Sequence, residues 1–291
     1  MLYQPLLLLL ALIAAFSVSR LDAAPVRVVG SDLLGGAIRD TLLAEAKKQG
    51  WDLSVDFTGS LGGQSALEGG KADIAILAIP EGAASPSAVH VVPLAFEAVA
   101  LAVHESNPIQ EVSFATLAGL FGSGGEDFSR WGKLGATGSW QERQVSLNAV
   151  RNRQLLSLEI FRARVLGPRD LTGNVTYWEA PDRLLLHLAT TPPDIALLPA
   201  GVSMPSGVRF LFIREEEGAA SFRPTAQAVF YGDYPLQLPY FMYIRETSAP
   251  AREVIAFLLS DAVAEVLQKA HYMPLPETER RQFLAEFAAG E

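Results

Sequence analysis

Apolar and polar positions alternate in two rhythms along the first quarter of the chain, and the same device appears twice. Residues 26–29 (Val-Arg-Val-Val) read as a strand that runs through Gly30-Ser31-Asp32-Leu33-Leu34-Gly35-Gly36 into a helical pattern over 36–49, with Ile38, Leu42 and Ala46 on one face. Residues 53–57 (Leu-Ser-Val-Asp-Phe) read as a second strand. It runs through Thr58-Gly59-Ser60-Leu61-Gly62-Gly63 into a short helix over 64–68, ended by Gly69-Gly70. A third strand over 72–78 is continuously apolar after Asp73, as expected of a strand covered on both faces. A strand ending in a small Gly/Ser loop that opens a helix leaves backbone N–H groups and hydroxyls at the positive end of a helix dipole, where an anionic group is readily held. One such loop reads equally well as turn punctuation; two at equivalent places favour a ligand cradle.

Beyond these junctions, residues 91–94 and 98–103 form a β-rich passage. A second βα series follows. It has helices over 114–121, 154–165 and 181–189, and strands over 145–150, 194–198 and 208–212. Residues 240–244 return to β character, and two helices are expected over 249–259 and 260–270. Alternating β and α elements imply parallel-rich mixed sheets flanked by helices, and the length supports two of them. The β passages near 98–103 and 240–244 bracket the middle of the chain like a pair of crossings. The expected architecture is therefore α/β and two-lobed, with a discontinuous first lobe (25–103 plus 240–291), a second lobe (104–239) and a hinge of two crossings. The cleft between such lobes is the preferred place for a small ligand.

The N-terminal 24 residues read differently. Leu6 to Phe16 is an unbroken apolar run, short for a membrane span and followed by small residues up to Ala23 and Ala24, which is the pattern of a cleaved export signal. Because no Lys or Arg precedes the run, an uncleaved membrane anchor is the alternative. Cysteine is absent, which removes disulfides, thiolate metal sites and the acceptor of a lipid anchor, and suits a protein free in a periplasm. With 23 basic and 32 acidic residues the net charge is −9, and no Lys/Arg-rich tract offsets it, which argues against nucleic acid as a partner. A small anion stays possible, since a buried site is governed by local dipoles.

Catalytic signatures are missing. His90, His104, His187 and His271 stand alone without metal-ligand spacing, Gly201-Val202-Ser203-Met204-Pro205 fails as a nucleophile elbow, and Gly70-Lys71-Ala72 fails as a phosphate loop. Glu215-Glu216-Glu217 reads as a solvated turn. No enzyme and no cofactor is expected.

Several pieces, in order, resemble the phosphate-binding proteins of ABC importers, a family of type II periplasmic solute-binding proteins. Val28-Val29-Gly30-Ser31-Asp32-Leu33-Leu34 is similar to that family's V-x-G-S-D-T-L loop, Gly59-Ser60-Leu61-Gly62-Gly63 to its G-S-x-G-G loop, and Ala72-Asp73-Ile74-Ala75 to its A-D-I-A strand. Val103 to Pro108 resembles the first crossing, Leu117 to Phe121 with Trp131 to Gly135 the L-x-x-I-F … W-x-x-L-G passage, and Ala256 to Ala262 with Tyr272 to Pro276 the closing helix and tail. The resemblance implies an exported binding protein that captures phosphate or a related oxyanion and hands it to an ABC permease. It also implies a site at Asp32, Leu33, Ser60, Gly62, Arg151 and Ser157. Within that site Leu33 replaces the family's Thr, Ala78 its Asp, and Leu155 and Leu156 the Ser and Gly before Ser157. Buried oxyanions need nearly every oxygen hydrogen-bonded, so these aliphatic replacements imply weak phosphate binding. For Arg151, a surface arginine beside Arg153 is an equal alternative. The alternative function is an interaction protein, a lobe pair that has lost its solute and presents a surface to a membrane sensor.

Overall fold

The computed structural model describes residues 25–79, 84–87, 90–124, 128–245 and 248–289. The export signal expected at 1–24 lies outside the described residues. The chain opens with β1 (Val26–Gly30), α1 (Asp32–Gln49), β2 (Leu53–Asp56), α2 (Ser60–Glu68) and β3 (Ile74–Ala78). The long β4 (His90–His104) leads to β5 (Glu111–Ser113), α3 (Phe114–Phe121), β6 (Ser146–Val150), α4 (Ser157–Phe161), β7 (Val175–Trp178), α5 (Pro181–Leu188) and β8 (Asp194–Pro199). After β9 (Val208–Phe210), β10 (Phe212–Arg214) and α6 (Ala226–Phe230), β11 (Gln237–Ile244) returns across the molecule. The chain closes with α7 (Ala249–Leu258), α8 (Asp261–Lys269), β12 (Met273–Pro274) and α9 (Glu277–Ala289).

This is the expected α/β, two-lobed architecture, with one refinement. The hydrogen-bonded path β2-β1-β3-β11-β4-β8-β6-β7 is continuous, because β4 belongs to both halves. Its N-terminal part pairs antiparallel with β11, from His90 opposite Ile244 to Ala98 opposite Gln237, and its C-terminal part pairs antiparallel with β8 from Val99 to Val103. On the flanks the pairing is parallel, β2 with β1 and β1 with β3 on one side, β8 with β6 and β6 with β7 on the other. Two large apolar clusters follow this division. One packs α1, α7 and α8 against β1, β3 and β11, and the other packs α3 and α4 against the second half of β4 and β8.

The structure differs locally from the sequence reading. Helix α2, expected over 64–68, begins at Ser60, so its Gly/Ser segment is the first turn of the helix. Three further differences have identifiable causes. Helix α1 begins at Asp32, four residues before the apolar pattern, so the glycine-rich segment is its first turn and not a loop. Gly35 fits there because a Cβ would stand 2.2 Å from the Phe57 ring. The helix expected over 154–165 begins at Ser157, since Asn152 accepts from the backbone of Gln154 and holds a turn that delivers Leu155 to the core; beyond Phe161 it widens into a π-helical turn, Arg162–Leu166. The strand expected over 208–212 is two strands, β9 on β4 and β10 on β5.

The junctions after β1 and β2 lock together. Gly59 donates its N–H to Gly30 O at 2.9 Å, and Ser31 donates to Ile76 O at 2.8 Å. Gly30 has φ +140°, and a Cβ there would stand 2.0 Å from Ile76 O, so no side chain fits. Gly30→Ala should therefore cost about 2–4 kcal/mol in urea unfolding. Gly36→Ala meets nothing within 4 Å in the exposed part of α1 and should instead stabilise by about 0.5–1 kcal/mol.

Candidate functional site

Helices α1 and α2 both open at the strand junctions, after β1 and β2, with their first-turn N–H groups lacking intrahelical acceptors. Ser60 opens α2, and its Oγ accepts the Ala78 N–H at 3.1 Å, so the hydroxyl proton is left for another acceptor. Gly62 is exposed in the same turn, Leu33 is half-buried, and the Asp32 carboxylate stands exposed in the first turn of α1, where it serves the helix dipole.

Across the molecule the chain leaves β6 at Arg151, which donates its N–H to Trp178 O at 2.8 Å. The Arg151 guanidinium lies 3.4 Å above the Tyr177 ring, exposed and stacked on β7. The following turn carries Leu155, which is 6% exposed and joins the apolar cluster of the first lobe with Leu34, Tyr240 and Tyr272. Leu155 thus ties the second segment to the first lobe by apolar packing where the family resemblance has a hydroxyl.

The next two residues meet a carboxylate. Leu156 donates its backbone N–H, and Ser157 its hydroxyl at 3.3 Å, to Oε1 of Glu97 in the middle of β4. Glu97 is fully buried, and its Oε2 has no hydrogen-bond partner. Burial pushes its carboxyl up to about 7; the Leu156 N–H and Ser157 hydroxyl oppose that rise, and the charge of Glu159 adds to it. Tyr240 and Tyr272 stand nearby with rings perpendicular at 5.6 Å. The Tyr272 hydroxyl donates to Gln154 O at 3.4 Å, while the buried Tyr240 hydroxyl has no partner. Both phenols are held above their ordinary range by burial first, with the charges of Glu97 and Asp32 contributing.

Of the six residues read from sequence, Ser157 is thus brought against Glu97, and Asp32 lies within electrostatic reach of the same cluster. Ser60 and Gly62 stay together in the first turn of α2, Leu33 lies in that of α1, and Arg151 engages Tyr177. Glu97, Tyr240 and Tyr272 were not singled out from sequence. No group of three or more metal-ligating side chains occurs among the described residues, nor does any helix there have the length and apolarity to cross a membrane.

Comparison with known proteins bears on the fold. A family profile described as a PBP superfamily domain matches residues 18–140. The phosphate-binding protein PstS of Pseudomonas aeruginosa is 27% identical over 197 residues, which is 64% of this chain and 60% of that protein, so the chain matches less than two thirds of its relative's length. Among solved structures, a possible phosphate-binding protein from Planctomyces limnophilus superposes with a TM-score of 0.67 at 16% identity, covering 92% of this chain and 98% of that one. An ABC-type phosphate transport receptor from Vibrio cholerae gives 0.59 at 19% identity, covering 86% and 100%. The resemblance seen in the motifs holds at the level of the fold: the chain has the architecture of the type II periplasmic binding proteins, and its matched segment is a PBP superfamily domain.

Proposed function

We propose that this chain is an exported solute-binding protein, working in a periplasmic space with an ABC permease or membrane sensor, and that phosphate is not its tight ligand. In this reading residues 25–103 plus 240–291 form one lobe and 104–239 the other, with β4 and β11 as the hinge. The first-turn N–H groups at Asp32 and Leu33, with Ser60 and Gly62, line one side of the cleft; Arg151 and Ser157 line the other.

One observation carries the phosphate part of the reading. The Leu156 N–H and the Ser157 hydroxyl, donors that would otherwise meet an oxyanion, are already given to the Glu97 carboxylate. An oxyanion using the same donors would stand about 4 Å from that carboxylate, and two unit charges at that distance repel by about 4 kcal/mol at an effective dielectric of about 20. That is nearly three decades of affinity against the ionised carboxylate; because Glu97 protonates at about 7, the penalty at pH 8 is capped at about one decade. Arg151, the one cation of the expected site, is engaged on Tyr177 and does not neutralise Glu97.

Glu97 also supports a second reading. Its unpartnered Oε2 is an acceptor, which suits a protonated oxyanion that can donate to it. Calorimetric titration with phosphate at pH 8, where the Glu97 carboxylate is ionised, separates the two. The first reading expects no submicromolar binding by the wild type and a gain of about tenfold in Glu97→Gln, where the charge is gone and the shape kept. Tight wild-type binding that Glu97→Gln abolishes would establish the second reading and overturn the first.

The same residue sets a pH dependence. An unfolded glutamate ionises near 4.5, whereas Glu97 in the fold holds its proton up to about 7. Between these values the folded state binds more protons than the unfolded state, so the contribution to stability is full below pH 4.5 and is lost as pH rises through 7. The loss amounts to about 3 kcal/mol. Urea unfolding at pH 5 and pH 8 should show wild type losing stability relative to Glu97→Gln by that order; parallel curves would contradict it.

A further inference from the structure

Successive side chains of a strand point to opposite faces, so Phe96 and Glu97 divide β4 into two surfaces. The register with β11 places Leu238 opposite Glu97 and Pro239 opposite Phe96. On the Phe96 side lies a cavity of about 850 Å³, within the size range of small-molecule sites. Aromatic rings dominate its wall: Phe96, Phe222, Phe230, Tyr231 and Phe241. They are already arranged edge to face, Phe96 with Phe230 at 6.4 Å and Phe230 with Tyr231 at 5.0 Å between centroids. Tyr231 is 66% exposed, a large apolar surface left uncovered at the edge of the cavity.

The polar groups in the wall are few and of one tendency. Arg164 is bonded to Glu215 at 2.8 Å, which leaves the Asp233 carboxylate as the excess charge. Gln237, also in the wall, has its Oε1 buried without a hydrogen-bond partner, an acceptor awaiting a donor. The wall is also shared: Ile79 and Phe241 come from the first lobe, Ile160, Phe222 and Phe230 from the second. A molecule seated there touches both.

We propose that this cavity binds an aromatic small molecule that is uncharged or cationic and carries a hydrogen-bond donor, at a site separate from the anion cradle. Its chemistry is the reverse of the cradle's. Apolar area supplies the affinity, the Gln237 carbonyl orients the donor, and the Asp233 carboxylate discourages anions. The proposal is independent of the phosphate reading, since it uses no donor of the cradle.

N-phenyl-1-naphthylamine is an apt fluorescent probe, being uncharged and aromatic with a single N–H. Its sulfonated counterpart, 8-anilino-1-naphthalenesulfonate, has the same skeleton with a negative charge. The uncharged probe should bind the full-length protein saturably, one per chain, with a micromolar dissociation constant, and the sulfonate about tenfold or more weakly. Ala163→Trp and Ala220→Trp fill the cavity from two separate exposed positions, and each should weaken the uncharged probe by about tenfold while the thermal melt stays cooperative. Millimolar phosphate should not displace it. Absence of saturable binding, or binding unchanged in both Trp variants, overturns the site; equal affinity for the sulfonate overturns the charge assignment; displacement by phosphate overturns its separateness.

Discussion

The antiparallel pairing of β4 with β11 is the constraint from which the rest of the molecule is built. β4 is fifteen residues long and serves two sheets in succession, so neither lobe has a complete sheet without it. Its central residues, Ala95 to Val103, are all buried, which forces almost every side chain there to be small or apolar. Glu97 is the exception. A carboxylate fixed at that point must find donors in whatever segment crosses it, and the segment that crosses is the turn entering α4. The position of the α4 entry, the insertion of Leu155 into the first lobe's core and the chemistry of the cleft are therefore linked through one strand.

Much of this was legible in the sequence because the signals were local. The strand and helix rhythm of residues 26–78, the buried β8 and the helix α3 over 114–121 all follow from patterns within a few residues. The two glycine-rich junctions were read as loops that open helices, and both helices begin four residues earlier, α1 at Asp32 and α2 at Ser60. In the first, Gly35 is dictated by Phe57, a residue from another element. The entry of α4 was misread by three residues because the preference of Leu155 for the opposite lobe is a tertiary fact. Periodicity cannot register it.

Glu97 left one visible trace, the only charged residue between Val91 and Val103 in an otherwise apolar run. A lone charge in a buried strand always demands a partner. Its partners here are a backbone N–H and a hydroxyl about sixty positions away in sequence, and the donors' identity depends on the hinge topology. Arg151 shows the converse: residue type and position suggested an anion contact, but an arginine at a strand end also has an aromatic neighbour on the adjoining strand, and β6–β7 pairing supplies Tyr177 directly.

Stability alone gives no reason for a carboxylate at the centre of β4. A glutamine would accept from Leu156 and Ser157 equally well and would not carry a charge that burial penalises above pH 7. Such a charge is tolerable because two donors share it, and it becomes costlier if the turn at 155–157 moves away and leaves it buried with none. The carboxylate therefore couples its own ionisation to the position of the α4 entry: ionised, it favours the turn held against β4; protonated, it loosens that preference. If, as proposed, ligand capture moves one lobe relative to the other about β4 and β11, a group that titrates near neutrality at the β4 crossing is placed to bias that motion.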